Sequence, residues 1–147
     1  MKSRTFAYFP MDQLCGYYKL IKSENFDEYM KKIGISWSLR TLGNTLKPSI
    51  EISSHGDGIY ALTTRSTFKN SDINFRLGEQ LDETTIDGRV FRTTFTFEDN
   101  KLIQRQVPIN SGDKLSVITR ERSGENMIAT FVCEDVEAVR TYVVVEK

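Results

Sequence analysis

The run Arg89-Val90-Phe91-Arg92-Thr93-Thr94-Phe95-Thr96-Phe97 alternates with a period of two: Arg89, Phe91, Thr93, Phe95 and Phe97 fall on one parity, Val90, Arg92, Thr94 and Thr96 on the other. Successive side chains point to opposite faces in an extended strand, and aromatic and β-branched residues suit a pleated surface. The same period organises the C-terminal run. Ala138, Arg140, Tyr142 and Val144 share one face, Val139, Thr141, Val143 and Val145 the other. After residue 49, turn chemistry breaks such segments at intervals of about ten residues. The breaks are His55-Gly56-Asp57-Gly58, Lys69-Asn70-Ser71, Asp87-Gly88-Arg89, Glu98-Asp99-Asn100, Asn110-Ser111-Gly112-Asp113 and Ser123-Gly124-Glu125. Hairpins at this spacing predict an antiparallel sandwich or an up-and-down barrel.

Residues 25–46 depart from the pattern. Asn25 reads as an N-cap with Asp27 and Glu28 in the first turn, and Phe26, Tyr29, Met30 and Ile33 form one apolar stripe at helical spacing. Gly34 punctuates; Ser36 caps a second short helix with Trp37, Leu39 and Leu42, which Gly43, Asn44 and Pro48 are expected to end. The order is one strand, a helix–turn–helix, then about nine strands in a single domain.

Composition narrows the function. The 20 Lys+Arg balance 20 Asp+Glu, which removes the electrostatic argument for a nucleic acid partner. Hydrophobic residues make up 39% of the 147, lean for a domain packed solid, although 14 Thr and 11% aromatics exclude a disordered chain. No apolar run reaches the length of a membrane-spanning helix, and no signal peptide is visible. Cys15 and Cys133 read as reduced thiols of a cytosolic protein. No metal-ligand spacing and no catalytic set are visible. His55 falls in a Gly-rich turn, and the pairs Asp82/Glu83, Glu98/Asp99 and Glu134/Asp135 are expected to be solvated acids at turns and strand ends. The reading is therefore a non-enzyme without cofactor or metal.

Several motifs stand in a telling order: Gly16-Tyr17-Tyr18-Lys19-Leu20, Asn25-Phe26-Asp27-Glu28-Tyr29-Met30, Lys47-Pro48, Ser66-Thr67-Phe68-Lys69-Asn70, Phe75-Arg76-Leu77-Gly78, Asp82-Glu83-Thr84-Thr85 and Arg140-Thr141-Tyr142. In these the chain resembles the intracellular fatty-acid-binding proteins, the cellular lipid-binding branch of the calycins, over residues 12–147. Residues 1–11 are an N-terminal extension outside the resemblance, with Met11 where members of the family usually begin. The resemblance implies a mainly β fold: a ten-stranded antiparallel up-and-down β-barrel, a β-clam, capped by a helix-turn-helix lid over a water-filled cavity. It further implies an intracellular carrier of a long-chain fatty acid or related hydrophobic carboxylate. Tyr18 replaces the family's usual tryptophan. Arg122 stands where a leucine is common, either past the edge of the cavity or as an added interior charge. The turn from Val107 to Lys114 is slightly long for the family.

Alternation alone does not say which face of the last strand is inside. If the Arg140 face is, a buried guanidinium needs a partner anion, and its planar fork suits a carboxylate. The resemblance assigns Arg120, Arg140 and Tyr142 to the ligand carboxylate. It assigns Phe26, Tyr29, Met30, Trp37, Leu39, Phe68, Arg89, Phe91, Phe95 and Gln106 to the cavity and its portal. Lys31, Lys32 and Arg40 in the cap are solvated cations or, alternatively, a transient contact with anionic membranes. The expected protein is a monomer, cytoplasmic and also nuclear if it delivers its ligand to a nuclear receptor. A lipid-dependent signalling adaptor and a retinoid carrier are the alternatives.

Overall fold

The computed structural model describes residues 10–147, so the expected extension lies outside the described residues except for Pro10 and Met11. Ten strands follow a 3-10 turn at Pro10–Leu14: β1 (Gly16–Glu24), β2 (Ser49–Ser54), β3 (Ile59–Arg65), β4 (Ser71–Arg76), β5 (Gln80–Thr84), β6 (Val90–Glu98), β7 (Lys101–Pro108), β8 (Ser116–Ser123), β9 (Asn126–Cys133) and β10 (Val136–Val145). Helices α1 (Phe26–Lys32) and α2 (Trp37–Thr45) separate β1 from β2. The sheet order is β4-β3-β2-β1-β10-β9-β8-β7-β6-β5, with every neighbouring pair antiparallel. Pairing of β1 with β10 curls the sheet into a barrel, and β4 and β5 stand at its two ends with no ladder between them. The expected up-and-down barrel with a helical insertion is what forms.

The turns follow their chemistry. Asp99 and Asn100 join β6 to β7 with φ of 52° and 61°, a left-handed pair that matches the twist of the flanking strands. Two hairpins lack a place among the sequence turns: Leu77-Gly78-Glu79, between β4 and β5, where Gly78 sits at φ 82°, and Glu134-Asp135, between β9 and β10, where Glu134 sits at φ 52°.

In an up-and-down barrel, alternate turns gather at opposite ends. The end that carries the turns after β2, β4, β6 and β8 holds the main apolar core. Met11 and Leu14 plug it, joining Tyr18, Ile52, Leu62, Phe75, Phe95, Leu102 and Met127 in one core. The Phe75 and Phe95 rings stack at 4.1 Å. Tyr18 donates its hydroxyl to Leu14 O (2.7 Å), Tyr60 donates to Asp12 Oδ1 (2.8 Å), and Arg122 Nη1 donates to the Tyr18 oxygen (3.0 Å). Arg122 also bonds Gly124 O at 2.7 Å. Of its two open placements the structure takes the first: it fastens the plug, past the cavity.

At the opposite end the helices close over the barrel, with two departures from expectation. Asn25 holds the N-cap position of α1 with its backbone carbonyl (Tyr29 N–H to Asn25 O, 3.2 Å), at φ 61°, and its side chain does not cap. Its amide instead donates to Glu137 O of β10 at 2.8 Å, a tie between helix and barrel. Helix α2 does not end at Gly43 and Asn44 but runs through both to Thr45. Gly43 lets α2 approach α1 closely: a Cβ there would come within 2.7 Å of Met30 Sδ, and the methionine would have to shift. Asn44 Nδ2 (2.9 Å) and Arg40 Nε (3.3 Å) both donate to Asp27 Oδ1, locking α2 onto α1.

The plug and the lid are thus held by different means, and truncation separates them. Leu14→Ala, at 1% exposure, is expected to lower the unfolding free energy by about 2–4 kcal/mol in urea titration. Trp37→Ala, at 72% exposure on α2, is expected to change it by under about 0.5 kcal/mol.

Candidate ligand-binding cavity

Beneath the helices lie two adjoining chambers of about 250 Å³ and about 220 Å³. They share Phe26, Met30, Ile35, Arg120 and Phe131 in their walls. The first is mostly apolar, closed by Leu39, Leu42 and Leu46 of the lid region and by Phe68, and it reaches Arg140 and Tyr142. The second carries Glu83, Arg89, Gln104 and Gln106. A cavity with apolar walls and a few convergent polar groups is the usual form of a small-molecule site.

The cationic end arises from register. Arg140 on β10 and Arg120 on β8 both face Ala129 of β9, which lies between them. Alanine at that level is fully buried and leaves room for two guanidiniums from flanking strands. Arg140 is 5% exposed and Arg120 6%, so the Arg140 face is the inner one. Arg140 Nε donates to Ser23 Oγ at 3.2 Å, and its guanidinium lies 3.9 Å over the Phe26 ring of α1. That cation–π contact offsets part of the lost hydration. Burial pushes both arginines below their ordinary pKa, an effect the neighbouring Tyr142 opposes. Burial raises the Tyr142 hydroxyl, partly offset by Arg140 and Arg120, so near neutral pH it is a phenol that can donate.

Glu83 is the principal correction. Expected among the solvated acids, it is 7% exposed in β5 and lies inside the barrel. Its carboxylate accepts from Thr93 Oγ1 (2.7 Å), Gln104 Nε2 (3.1 and 3.2 Å) and Gln106 Nε2 (3.1 and 3.2 Å). Gln104 Oε1 in turn accepts from Arg120 Nη1 at 2.8 Å. The Gln104 amide therefore links cation to anion. Among the described residues the buried ionisable side chains of opposite sign are Arg120, Arg140 and Glu83, which leaves one positive charge in excess.

The expected site residues divide by place. Phe26, Met30, Leu39, Phe68, Arg120, Arg140 and Tyr142 line the first chamber, and Tyr29, Arg89 and Gln106 the second. Phe91 and Phe95 belong to neither wall. Both are fully buried, Phe95 in the packed base and Phe91 under the Arg89 guanidinium at 5.1 Å. Trp37 is not brought to the cavity either; as the first residue of α2 it points outward. Tyr29 bonds Ser116 Oγ beneath the lid and stacks edge-on against Phe131 at 5.3 Å. Phe68 sits in the β3–β4 turn, built around the Ser66 hydroxyl, which donates to Lys69 O at 2.8 Å. In the cap, Lys32 pairs with Asp135 (3.0 Å) and Arg40 with Asp27, so of the three expected surface cations only Lys31 is fully given to solvent. His55 is exposed and meets Ser53 Oγ at 3.0 Å. Cys15 and Cys133 are both free, and among the described residues no group of His, Cys, Asp or Glu is arranged to hold a metal.

Glu83, Gln104 and Thr93 were absent from the expected site. Period-two parity carries the signal: Thr93 alternates with Phe91 and Phe95, and Gln104 with Leu102 and Gln106, all of them buried.

Comparison with known proteins agrees with this architecture. The family model described as "Lipocalin / cytosolic fatty-acid binding protein family" matches residues 15–145. Fatty acid-binding protein homolog 6 of Caenorhabditis elegans is 43% identical over 131 residues, 89% of this chain and 96% of the relative. The Schistosoma mansoni fatty acid binding protein, solved in complex with arachidonic acid, superposes with a TM-score of 0.87 at 37% identity, over 94% of this chain and 100% of that one. Apo lipid binding protein 8 of Caenorhabditis elegans gives 0.87 at 31% identity, over 92% and 97%.

Two variants test the electrostatics. Glu83→Leu strands the Thr93, Gln104 and Gln106 donors and the Arg120 charge, and is expected to lower stability by about 2–4 kcal/mol in urea titration, against under about 0.5 kcal/mol for the exposed Asp82→Leu. Asp87 supplies a pH test. Burial would raise its carboxyl, but hydrogen bonds from Arg89 and Thr85 outweigh this and hold it below the ordinary 3.8. A depressed carboxyl stabilises the fold above its unfolded pKa, and that contribution is lost as pH falls through the folded value. Denaturant midpoints at about pH 7 and about pH 3 should accordingly differ less in Asp87→Asn than in the parent chain.

Proposed function

Because the chain belongs to the lipocalin / cytosolic fatty-acid binding protein family, we propose that it binds and transports a long-chain fatty acid or a closely related hydrophobic carboxylate. The observation that carries this reading is the uncompensated buried cation. Arg120 and Arg140 face one another across Ala129, and among the described residues Glu83 is the one buried acid that answers them. One ligand carboxylate would balance the interior. Arg140 and Tyr142 are proposed to hold it directly, and Arg120, already engaged by Gln104, to assist. Nothing in this step breaks a bond; the protein acts as a carrier.

The alkyl chain would then run along Phe26, Met30, Ile35 and Phe131 under the lid. Each buried methylene contributes about 0.8 kcal/mol, so a long tail supplies most of the affinity before the association cost is subtracted. The arginines choose the head group and its orientation. The methionine and the mixed aromatic and branched wall adapt to tails of different shape.

Hand-over is the finer part of the proposal. A membrane or a receptor would meet the lid, where Trp37 and Lys31 are exposed and Lys32 and Arg40 are committed to internal ion pairs. The family description points to the cytosol as the place of work.

The head-group assignment has a direct test. Arg140→Ala is expected to weaken binding of a long-chain fatty acid by about 10- to 100-fold while affecting the matching fatty alcohol far less, as read by isothermal titration. An equal loss for both ligands would remove Arg140 from the head-group role.

A further inference from the structure

The second chamber has more polar groups than a hydrocarbon tail requires. Among the described residues two buried side-chain polar atoms lack a hydrogen-bond partner, Arg89 Nη1 and Arg120 Nε. Both belong to residues in the wall of this chamber. Both are N–H donors, and a buried donor left unpaired is costly.

Each guanidinium is fixed by its other nitrogens. Arg89 donates from Nε (2.5 Å) and Nη2 (3.0 Å) to the two oxygens of Asp87, a bidentate pair, and lies over Phe91. Arg120 donates from Nη1 to Gln104. Those bonds hold the two guanidiniums in place, so Arg89 Nη1 and Arg120 Nε are pre-oriented donors open to an acceptor oxygen. The Glu83 carboxylate is already in use, taking Thr93, Gln104 and Gln106.

We propose that the second chamber is a ligand subsite for an uncharged oxygen function, a hydroxyl or keto group, on the lipid chain, so that the protein selects mono-oxygenated long-chain fatty acids over plain ones. The proposal rests on the carrier reading and deepens it. A chain anchored by its carboxylate at Arg140 reaches the subsite along Phe26, Met30, Ile35 and Phe131, which belong to both chambers. The functional group is uncharged because Asp87 and Glu83 already answer Arg89 and Arg120 in this wall, which leaves no net positive charge there for a second carboxylate. It must be an acceptor because the protein supplies the protons.

The test compares stearate, a mid-chain hydroxystearate and the corresponding ketostearate by isothermal titration. Both oxygenated acids are expected to bind about three- to tenfold tighter than stearate. In Arg89→Lys, which keeps a cation for Asp87 and removes the Nη1 donor, the ratio should fall toward one, with thermal unfolding as the check on folding. A second measurement does not depend on any variant: the infrared carbonyl stretch of bound ketostearate should lie below its value in hydrocarbon. Equal affinity for all three acids, a preference shown only by the hydroxy acid, a preference unchanged in Arg89→Lys, or a hydrocarbon-like carbonyl stretch would each overturn the subsite. Failure of all three acids to bind would instead overturn the carrier reading on which it stands.

Discussion

Two guanidiniums inside a barrel set the terms for the rest of this molecule. A charge taken out of water is tolerated only when its donors are matched and a counter-charge lies near. Here the match is built strand by strand. Ala129 makes the room, Ser23 and the Phe26 ring take up Arg140, and Gln104 hands Arg120 on to Glu83. Each partner comes from a different element: β1, α1, β5, β7 and β9. The polar interior therefore depends on the whole barrel being in register. A one-residue slip in any of these strands would turn its contribution to solvent.

This arrangement divides the barrel lengthwise. The base is a packed core with its own plug, where Met11, Leu14 and the Tyr18 hydroxyl close the end through contacts that involve no interior charge. The helical end is held by fewer and more exposed contacts: Asn25 to Glu137, the Asp27 carboxylate to Asn44 and Arg40, and Lys32 to Asp135. Segments held by such bonds open at lower free energy than core strands. Stability thus resides largely at one end and access at the other.

How much of this could be read from the sequence varies with the range of the interaction. Strand alternation in residues 89–97 and 138–145, and the turn residues between strands, are local, and they were legible. The face of β10 that points inward was not, because Val139, Thr141, Val143 and Val145 are as apolar as the face that carries Arg140. Only closure against β1 and β9 decides it. Glu83 is hidden for a related reason: in a run of acids and threonines it resembles solvated surface, and its partners lie on β6 and β7. The resemblance assigns Trp37 to the cavity and its portal, yet its position at the first turn of α2 points it outward. Gly43 and Asn44 read locally as a helix end, whereas in the structure they lie inside one, Gly43 against Met30 and Asn44 bonded to Asp27.

The balance of charge and of volume then meet in one argument. Over the whole chain 20 cations cancel 20 anions, but the buried interior does not share that neutrality. The hydrophobic fraction is likewise modest over the chain: the main apolar core gathers at the base, while the helical end holds two chambers. Both shortfalls, one negative charge and a volume of apolar matter, fall in the same half of the barrel. A molecule with one carboxylate and a long apolar chain supplies both at once. Neither a small anion nor a neutral hydrocarbon does: the first leaves the chambers unfilled, and the second leaves Arg140 and Arg120 answered by Glu83 alone. The fold therefore specifies an amphiphile by two independent deficits, and the polar wall of the second chamber then bears on which amphiphile it takes.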